Sequence, residues 1–206
     1  MSTWGKYADG AEGWSEEAYA DAAVYLARRA ELVRELGPRL DTGDVVLDLA
    51  CGDGGLADFL PGLGYCGVDA SPEMVEAARR RGRRVVQADL NEFEPDAPVQ
   101  ATTIFRAIYY ARDRRALLAR IAGYTEKKLV FDLNPRQYRL EDVRADLSAA
   151  GFDRLELRPF FVPQTVAPKA ALTRLLRVAE RIDLAARLLL RVRFTYMCSA
   201  YRADAD

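Results

Sequence analysis

Val45-Val46-Leu47-Asp48-Leu49-Ala50-Cys51-Gly52-Asp53-Gly54-Gly55 is the stretch that decides the fold. Its apolar opening reads as a buried strand. The glycines that follow let the backbone turn sharply and approach a ligand closely. A short helix is expected at about 55–60, and its first turn offers unpaired N–H groups. A strand that runs into a glycine turn ahead of a helix is where open α/β sheets hold their ligands.

Outward from this stretch, apolar runs alternate with helical patterns. Strands are read at 45–47, 65–68, 85–86, 101–105, 128–131, 155–162 and 192–200. Between them, Ser71 caps a helix with Pro72 at its first position. Further helices are expected at 112–123 and 140–150, the latter stopped by Gly151. The alternation implies an α/β fold with a mostly parallel, doubly wound sheet, and the last two strands break the rhythm as an antiparallel edge. At the N-terminus, residues 1–14 read as an arm bearing Trp4, Tyr7 and Trp14. Ser15 then reads as the N-cap of one helix that carries Tyr19, Ala22, Leu26, Ala30, Val33 and Leu36 at helical spacing, ended by Gly37-Pro38. The 206 residues are expected to form one domain, with 1–37 as arm and helix, 40–135 as the ligand-binding core and 168–190 as a helical insertion. That insertion carries an apolar stripe of Leu172, Leu175, Leu176, Ala179 and Ile182, with Arg174, Arg177 and Arg181 on another face. It reads as a cap over a substrate cleft, and its basic amphipathic character also permits contact with a membrane surface.

Composition excludes several chemistries. The chain has no histidine, so no His-based triad or His proton shuttle can exist. Cys51, Cys66 and Cys198 lack paired spacing, which argues against a disulfide framework and a zinc site, and no metal is expected. The formal charge of −1 gives no electrostatic footprint for nucleic acid. Residues 1–13 lack a signal-peptide pattern, and no run of about 18 apolar residues is present, so a cytoplasmic protein is expected.

Three acids give the glycine turn its meaning. Alone, Gly52-x-Gly54-x-x-Ala57 also fits a dinucleotide fingerprint. Asp48, however, stands ahead of the glycines, where a carboxylate suits a cationic amino group and repels a pyrophosphate. Asp69 ends the second strand, where it can accept both hydroxyls of a ribose. Asp89 ends the third and can accept from an exocyclic adenine amine. They recur about every twenty residues, one βα unit each. An amino acid joined to adenosine is what such a row would read.

"VVLDLACGDGG", "GVDASPEMVEAAR" and "QADL" resemble the first three motifs of the class I S-adenosylmethionine (SAM)-dependent methyltransferases, nearest the small-molecule, quinone-type branch. The resemblance covers about residues 40–135. It implies a Rossmann-like seven-stranded sheet in the order 3-2-1-4-5-7-6, with strand 7 antiparallel. It also implies that Asp48 and the backbone of Ala50, Gly52 and Gly54 cradle the methionine part of SAM. Asp69 would hold the ribose, Ala70 or Met74 would pack near the adenine, and Asp89 and Leu90 would contact it. Phe105 and Arg106 would lie near the methionine and reactive sulfur.

Arg106 departs from the family, where this position is often small or polar. It reads either as an anchor for an anionic substrate group or as an ion-pair partner of Asp113. Tyr109 and Tyr110 stand where histidines are common; one of this adjacent pair is expected in the core and the other at the cleft. Asp132 and the Tyr110 phenol are the candidate bases, needed only if the nucleophile must lose a proton. The N-terminal aromatics Trp4, Tyr7, Trp14 and Tyr19 read either as a lid over the pocket or as helix-packing anchors. The expected reaction is methyl transfer to a small, partly apolar acceptor, with Phe160, Phe161, Val162, Leu172 and Leu176 as the apolar cap. A nicotinamide-dependent oxidoreductase and a SAM-binding protein without activity are the alternatives.

Overall fold

Val46 and Leu47 point to opposite faces of the first strand, β1 (Val45–Leu49), and each meets its own hydrophobic layer. The computed structural model describes residues 11–167, 169–180 and 194–204. Around β1 stand β2 (Gly64–Asp69), β3 (Val85–Gln87), β4 (Val99–Ile104), β5 (Thr125–Leu133), β6 (Arg154–Phe160) and β7 (Thr195–Tyr201). They form a seven-stranded sheet in the order β3-β2-β1-β4-β5-β7-β6. The first five are parallel, and β7 runs antiparallel to both β5 and β6. The expected order and the antiparallel edge are both present.

Helices cover both faces. On one, α2 (Ala22–Glu35) packs Leu26, Ala30 and Val33 onto Val46, Ala101 and Val130. On the other, α4 (Arg114–Tyr124) and α5 (Leu140–Ala150) pack Leu117, Leu118, Ile121 and Leu147 onto Leu47, Leu49, Leu129 and Phe131. Each such fully buried side chain contributes roughly 1.5–3 kcal/mol. The helix after β2, α3 (Pro72–Arg80), begins as expected, with the Ser71 hydroxyl accepting from the Met74 N–H. Gly151, at φ 97°, ends α5.

The N-terminal helix expected from Ser15 onward is in fact two. The first, α1 (Trp14–Ala18), stops where Tyr19 turns extended, and Asp21 caps α2 by accepting from the Val24 N–H. Ser15 is not a cap. Its hydroxyl and amide both donate to Asp53, 38 positions on, and that buried interaction sets the angle of α1. Trp4 and Tyr7 lie outside the described residues.

The described residues of the insertion, 169–180, line no wall of the cleft described below. Its described helix, α6 (Ala170–Ala179), packs Leu176 and Ala179 against Phe161, while Leu172, Leu175 and Val178 face outward. Glu180 explains the placement. Buried, it accepts from the Phe161 N–H and pairs with Arg28 at 2.7 Å, which pins the helix end to α2. Arg181 and Ile182 lie outside the described residues. Among the described residues, no helix is long and apolar enough to cross a membrane.

Candidate active site

The order β2-β1-β4 reverses the winding at β1, and a cleft opens there at the carboxyl ends of the strands. About 1050 Å³ of non-protein space lies in it and at its open mouth. Its floor and rim include Asp48, Ala50, Gly52, Asp69, Ala70, Met74, Leu90, Phe105, Arg106 and Tyr110. These segments, distant in sequence, converge as expected.

Sheet register fixes Asp48. It lies beside Thr103 across β1 and β4, and the Thr103 hydroxyl donates to Asp48 Oδ1 at 2.6 Å. The Tyr65 hydroxyl, on β2, donates to Oδ2 at 2.8 Å. Burial raises the carboxyl to about 6, against the downward pull of these two hydroxyls. An anion held in this state is stabilised by any cation that arrives beside it.

The glycine turn closes onto Asp69. The Gly52 amide donates to Asp69 Oδ2 and the Ser71 amide to Oδ1, each at 2.9 Å. Burial nevertheless raises the pKa of Asp69 above its ordinary value. Gly52 sits at φ 58°, and a Cβ there would stand 2.9 Å from the Trp14 ring, so only glycine fits under α1. Gly54 shapes the same turn at φ 71° but does not line the cleft.

Asp89 is a correction. Leu90 and its other neighbour Ala88 line the cleft, but the Asp89 carboxylate turns away. It accepts from the Asn91 backbone and side-chain amides at 2.8 Å and pairs with Arg112 at 2.6 Å. Burial opposes its charge, yet those partners prevail and its pKa falls. Proximity in sequence to Asn91, which also bonds the Tyr110 carbonyl and the Arg112 amide, favours this turn over the cleft.

Asp132 is a second correction. It stands behind the cleft wall, accepting from the Arg106 amide at 2.6 Å and pairing with Arg29 at 3.2 Å. Both oxygens are engaged, and the carboxylate does not line the cleft where a base would be needed. Tyr109 and Tyr110 form a short 3-10 turn with Ile108, and their rings lie 4.4 Å apart. Both line the cleft, although Tyr110 also packs on the core. The apolar cap residues Phe160, Phe161, Val162, Leu172 and Leu176 are absent from its walls.

The arginines are the larger surprise. Arg29, on α2, is 3% exposed and lines the cleft. It reaches the hydroxyls of Tyr19 and Tyr25 and lies over the Phe105 ring at 4.5 Å. Burial opposes its charge, but the tyrosines and Asp132 outweigh this and raise its pKa. No sequence signal marked it. Arg106, two residues past the end of β4, adopts φ 54°, a left-handed conformation shared among non-glycine described residues only by Ala50 at φ 57°. Both strained positions flank the cleft. The Arg106 guanidinium lies 5.7 Å from the centre of the Tyr19 ring and hydrogen-bonds that residue. Asp113 caps α4 instead of pairing with it. Among the described residues no carboxylate lies within ion-pair distance of Arg106.

Trp14 and Tyr19 line the cleft, as expected of part of a lid. Ser15 and Asp53 complete that side. Asp53 also accepts from Arg81 at 3.1 Å, so α1 is tied to the turn and to α3 together.

A Methyltransferase domain profile matches residues 46–128. Over that span, which holds the glycine turn, Asp48 and Asp69, the chain is similar to methyltransferase domains. It is 34% identical over 111 residues to the trans-aconitate 2-methyltransferase of Mycobacterium tuberculosis (strain ATCC 25177 / H37Ra), a match covering 48% of this chain and 42% of the relative. The corresponding enzyme of Rhodococcus jostii (strain RHA1) is 35% identical over 109 residues, covering 48% and 43%. The match thus spans less than half the length of these curated relatives. In fold, the chain is similar to one in the complex between the Haloferax volcanii Trm112 methyltransferase activator and the putative methyltransferase. There the TM-score is 0.69 at 20% identity, over 98% of this chain and 99% of that one. Magnesium protoporphyrin IX methyltransferase from Synechocystis PCC 6803, solved with SAM bound, gives 0.59 at 16% identity, over 96% and 88%.

Proposed function

We propose that this chain binds SAM in the cleft and transfers its methyl group to a small-molecule acceptor. The observation that carries the reading is the pairing of opposite charges along one wall. Asp48 suits the α-ammonium of the methionine end, and Arg29 suits its carboxylate. A buried anion and a buried cation within mutual electrostatic reach match an amino-acid zwitterion.

The remaining walls fit the rest of the molecule. Asp69 has one amide on each oxygen and keeps lone pairs for the ribose hydroxyls. Gly52 admits the backbone close to the ligand. Ala70, Met74 and Leu90 offer the adenine an apolar slot, with Asp89 removed from the set. Phe105 and Arg106 stand on the side where the reaction takes place. SAM supplies a methyl group on sulfonium with a thioether as leaving group. The protein has to align the nucleophile and exclude water. Trp14 and Tyr19, held by the Ser15–Asp53 contact, shield that space. The methyltransferase profile over residues 46–128 supports this reading over the nicotinamide-dependent alternative. Trans-aconitate, named in the relatives, is the first acceptor to try.

Calorimetric titration with SAM, S-adenosylhomocysteine (SAH) and NADH tests the reading. Binding of the first two and not the third supports it, and an Asp69→Asn variant is expected to bind SAM at least tenfold more weakly. Binding of NADH alone removes the proposal. Binding of SAM with no methyl transfer to any acceptor marks the inactive alternative.

A further inference from the structure

We infer, on the basis of the proposed function, that the acceptor is a carboxylic acid held by Arg106 and Tyr19, and that the product is its methyl ester. Among the described residues, Arg106 is the arginine of the cleft without a carboxylate partner, whereas Arg29 pairs with Asp132 and is assigned above to the methionine carboxylate. Holding a cation there carries a cost. The residue adopts φ 54°, a conformation in which glycine or asparagine would be less strained. Asp132 fixes that backbone through the Arg106 amide, which aims the residue from β4 into the cleft. A strained, braced and half-buried guanidinium facing open space is suited to an incoming anion.

A second observation narrows the anion and the reacting atom. The chain has no histidine, and the cleft carboxylates are held by neighbours on the cofactor side. Asp48 accepts from Tyr65 and Thr103, Asp69 from Gly52 and Ser71, and Asp53 from Ser15, Gly55 and Arg81. A carboxylate acceptor needs no base, because it arrives ionised at neutral pH. In the transfer, a carboxylate oxygen of the acceptor forms the bond to the methyl carbon as the carbon–sulfur bond breaks. The sulfur keeps that electron pair, so a sulfonium and a carboxylate become a thioether and a neutral ester, with no proton moved. Among the described residues that line the cleft there is no second cation free of a carboxylate, which suits a singly charged group better than a phosphate dianion.

The test uses the full chain. The SAH complex is titrated with trans-aconitate, succinate and benzoate, with their neutral amides, and with phenyl phosphate. Transfer from methyl-tritiated SAM is then followed, with ester read as label released by alkali as methanol. At least one acid is expected to bind and to yield alkali-labile label at a kcat/KM independent of pH from 6.5 to 9, while its amide does neither. Arg106→Gly and Arg106→Asn both tolerate positive φ. Each is expected to keep SAM affinity within threefold and to lower kcat/KM for the acid about 10- to 100-fold, the size of a charge-assisted hydrogen bond. Four results would overturn the inference: tighter binding of the phosphate, methylation of the amides, a kcat/KM that climbs with pH, or loss of SAM affinity in both variants. A chain that binds SAM but takes no acid loses this inference and keeps the proposed function. A chain that does not bind SAM loses both.

Discussion

The Arg106 amide donates to the Asp132 carboxylate at 2.6 Å, and the other oxygen of that carboxylate holds the Arg29 guanidinium at 3.2 Å. One acid on β5 therefore braces the strained backbone just past β4 and neutralises a buried cation on α2. Its place follows from register. Ile104 lies opposite Phe131, so the chain leaving β4 passes directly over Asp132.

Asp132→Ala is expected to destabilise the protein by about 3–5 kcal/mol, the usual effect of leaving a buried charge unpaired. Asp132→Asn keeps an acceptor for the Arg106 amide and should cost less. Urea unfolding of the three proteins checks the order. If Asp132→Ala unfolded at the wild-type midpoint, Arg29 would have another means of neutralisation.

Asp48 should make both stability and cofactor affinity depend on pH. Its pKa is about 6 in the folded protein against an ordinary value near 3.8. Between these values the folded state holds a proton that the unfolded state has lost. The resulting stabilisation is complete below about 3.8 and disappears as pH rises through 6. Asp48→Asn lacks this slope, so its stability relative to wild type should improve from pH 4 to 6.5. SAM binding should run the opposite way in wild type. Pairing with an ammonium needs the ionised form, so affinity should fall as pH drops below 6, and this dependence should vanish in Asp48→Asn. Thermal unfolding and calorimetry across pH 4.5–8 measure both effects.

How much of this was legible beforehand depended on the range of the interactions. The glycine turn, Ser71-Pro72 and Gly151 are local signals, and each does in the structure what its neighbours in sequence predict. Arg29 was not legible, because it sits in an ordinary amphipathic helix and its neutralising partner is 103 positions away. The break at Tyr19 was missed for a similar reason. Helical spacing runs through it, and only the Ser15–Asp53 contact reveals that α1 belongs to the cleft. Asp89 was misplaced because spacing gives a position on a strand end and not the direction of a side chain, which the adjacent Asn91 decides. The outward face of α6 was misread because apolar spacing cannot say which residues meet a partner. Glu180, a buried acid at the helix end, settles its orientation.

Ser15→Ala should loosen the lid and leave the fold. The Ser15 hydroxyl lies 2.5 Å from Asp53, which keeps its bonds to Arg81 and to the Ser15 and Gly55 amides in the variant. The loss of one buried hydrogen bond is worth about 1 kcal/mol. Because α1 carries Trp14 over Gly52, this loss should appear as a SAM dissociation rate several-fold faster by stopped flow. The melting temperature should change by only a few degrees. An unchanged dissociation rate would separate α1 from cofactor retention.

Lys128 offers a test far from the cleft. It is fully buried on β5, and its Nζ donates to the Leu36 carbonyl at 2.6 Å, closing the C-terminal end of α2. Burial lowers its pKa from 10.5 to about 8, and Glu156, which also accepts from the Gly37 amide, only partly offsets this. Between pH 8 and 10.5 the unfolded chain holds a proton that the folded chain has released. Wild-type stability should therefore rise with pH across that window, at about 1.4 kcal/mol per unit at most. Lys128→Met cannot titrate and loses the bond to Leu36. It removes a buried charge at pH 7 but leaves a buried carbonyl unpaired, so its net stability there mixes two opposed effects. The difference between the two proteins isolates the lysine. Urea midpoints at pH 7.0, 8.5 and 10 should shift in favour of wild type at each step, since titrations elsewhere are common to both proteins and cancel. A constant difference across the three pH values would mean that Lys128 keeps its proton throughout, and that the Leu36 carbonyl and Glu156 together stabilise a buried ammonium.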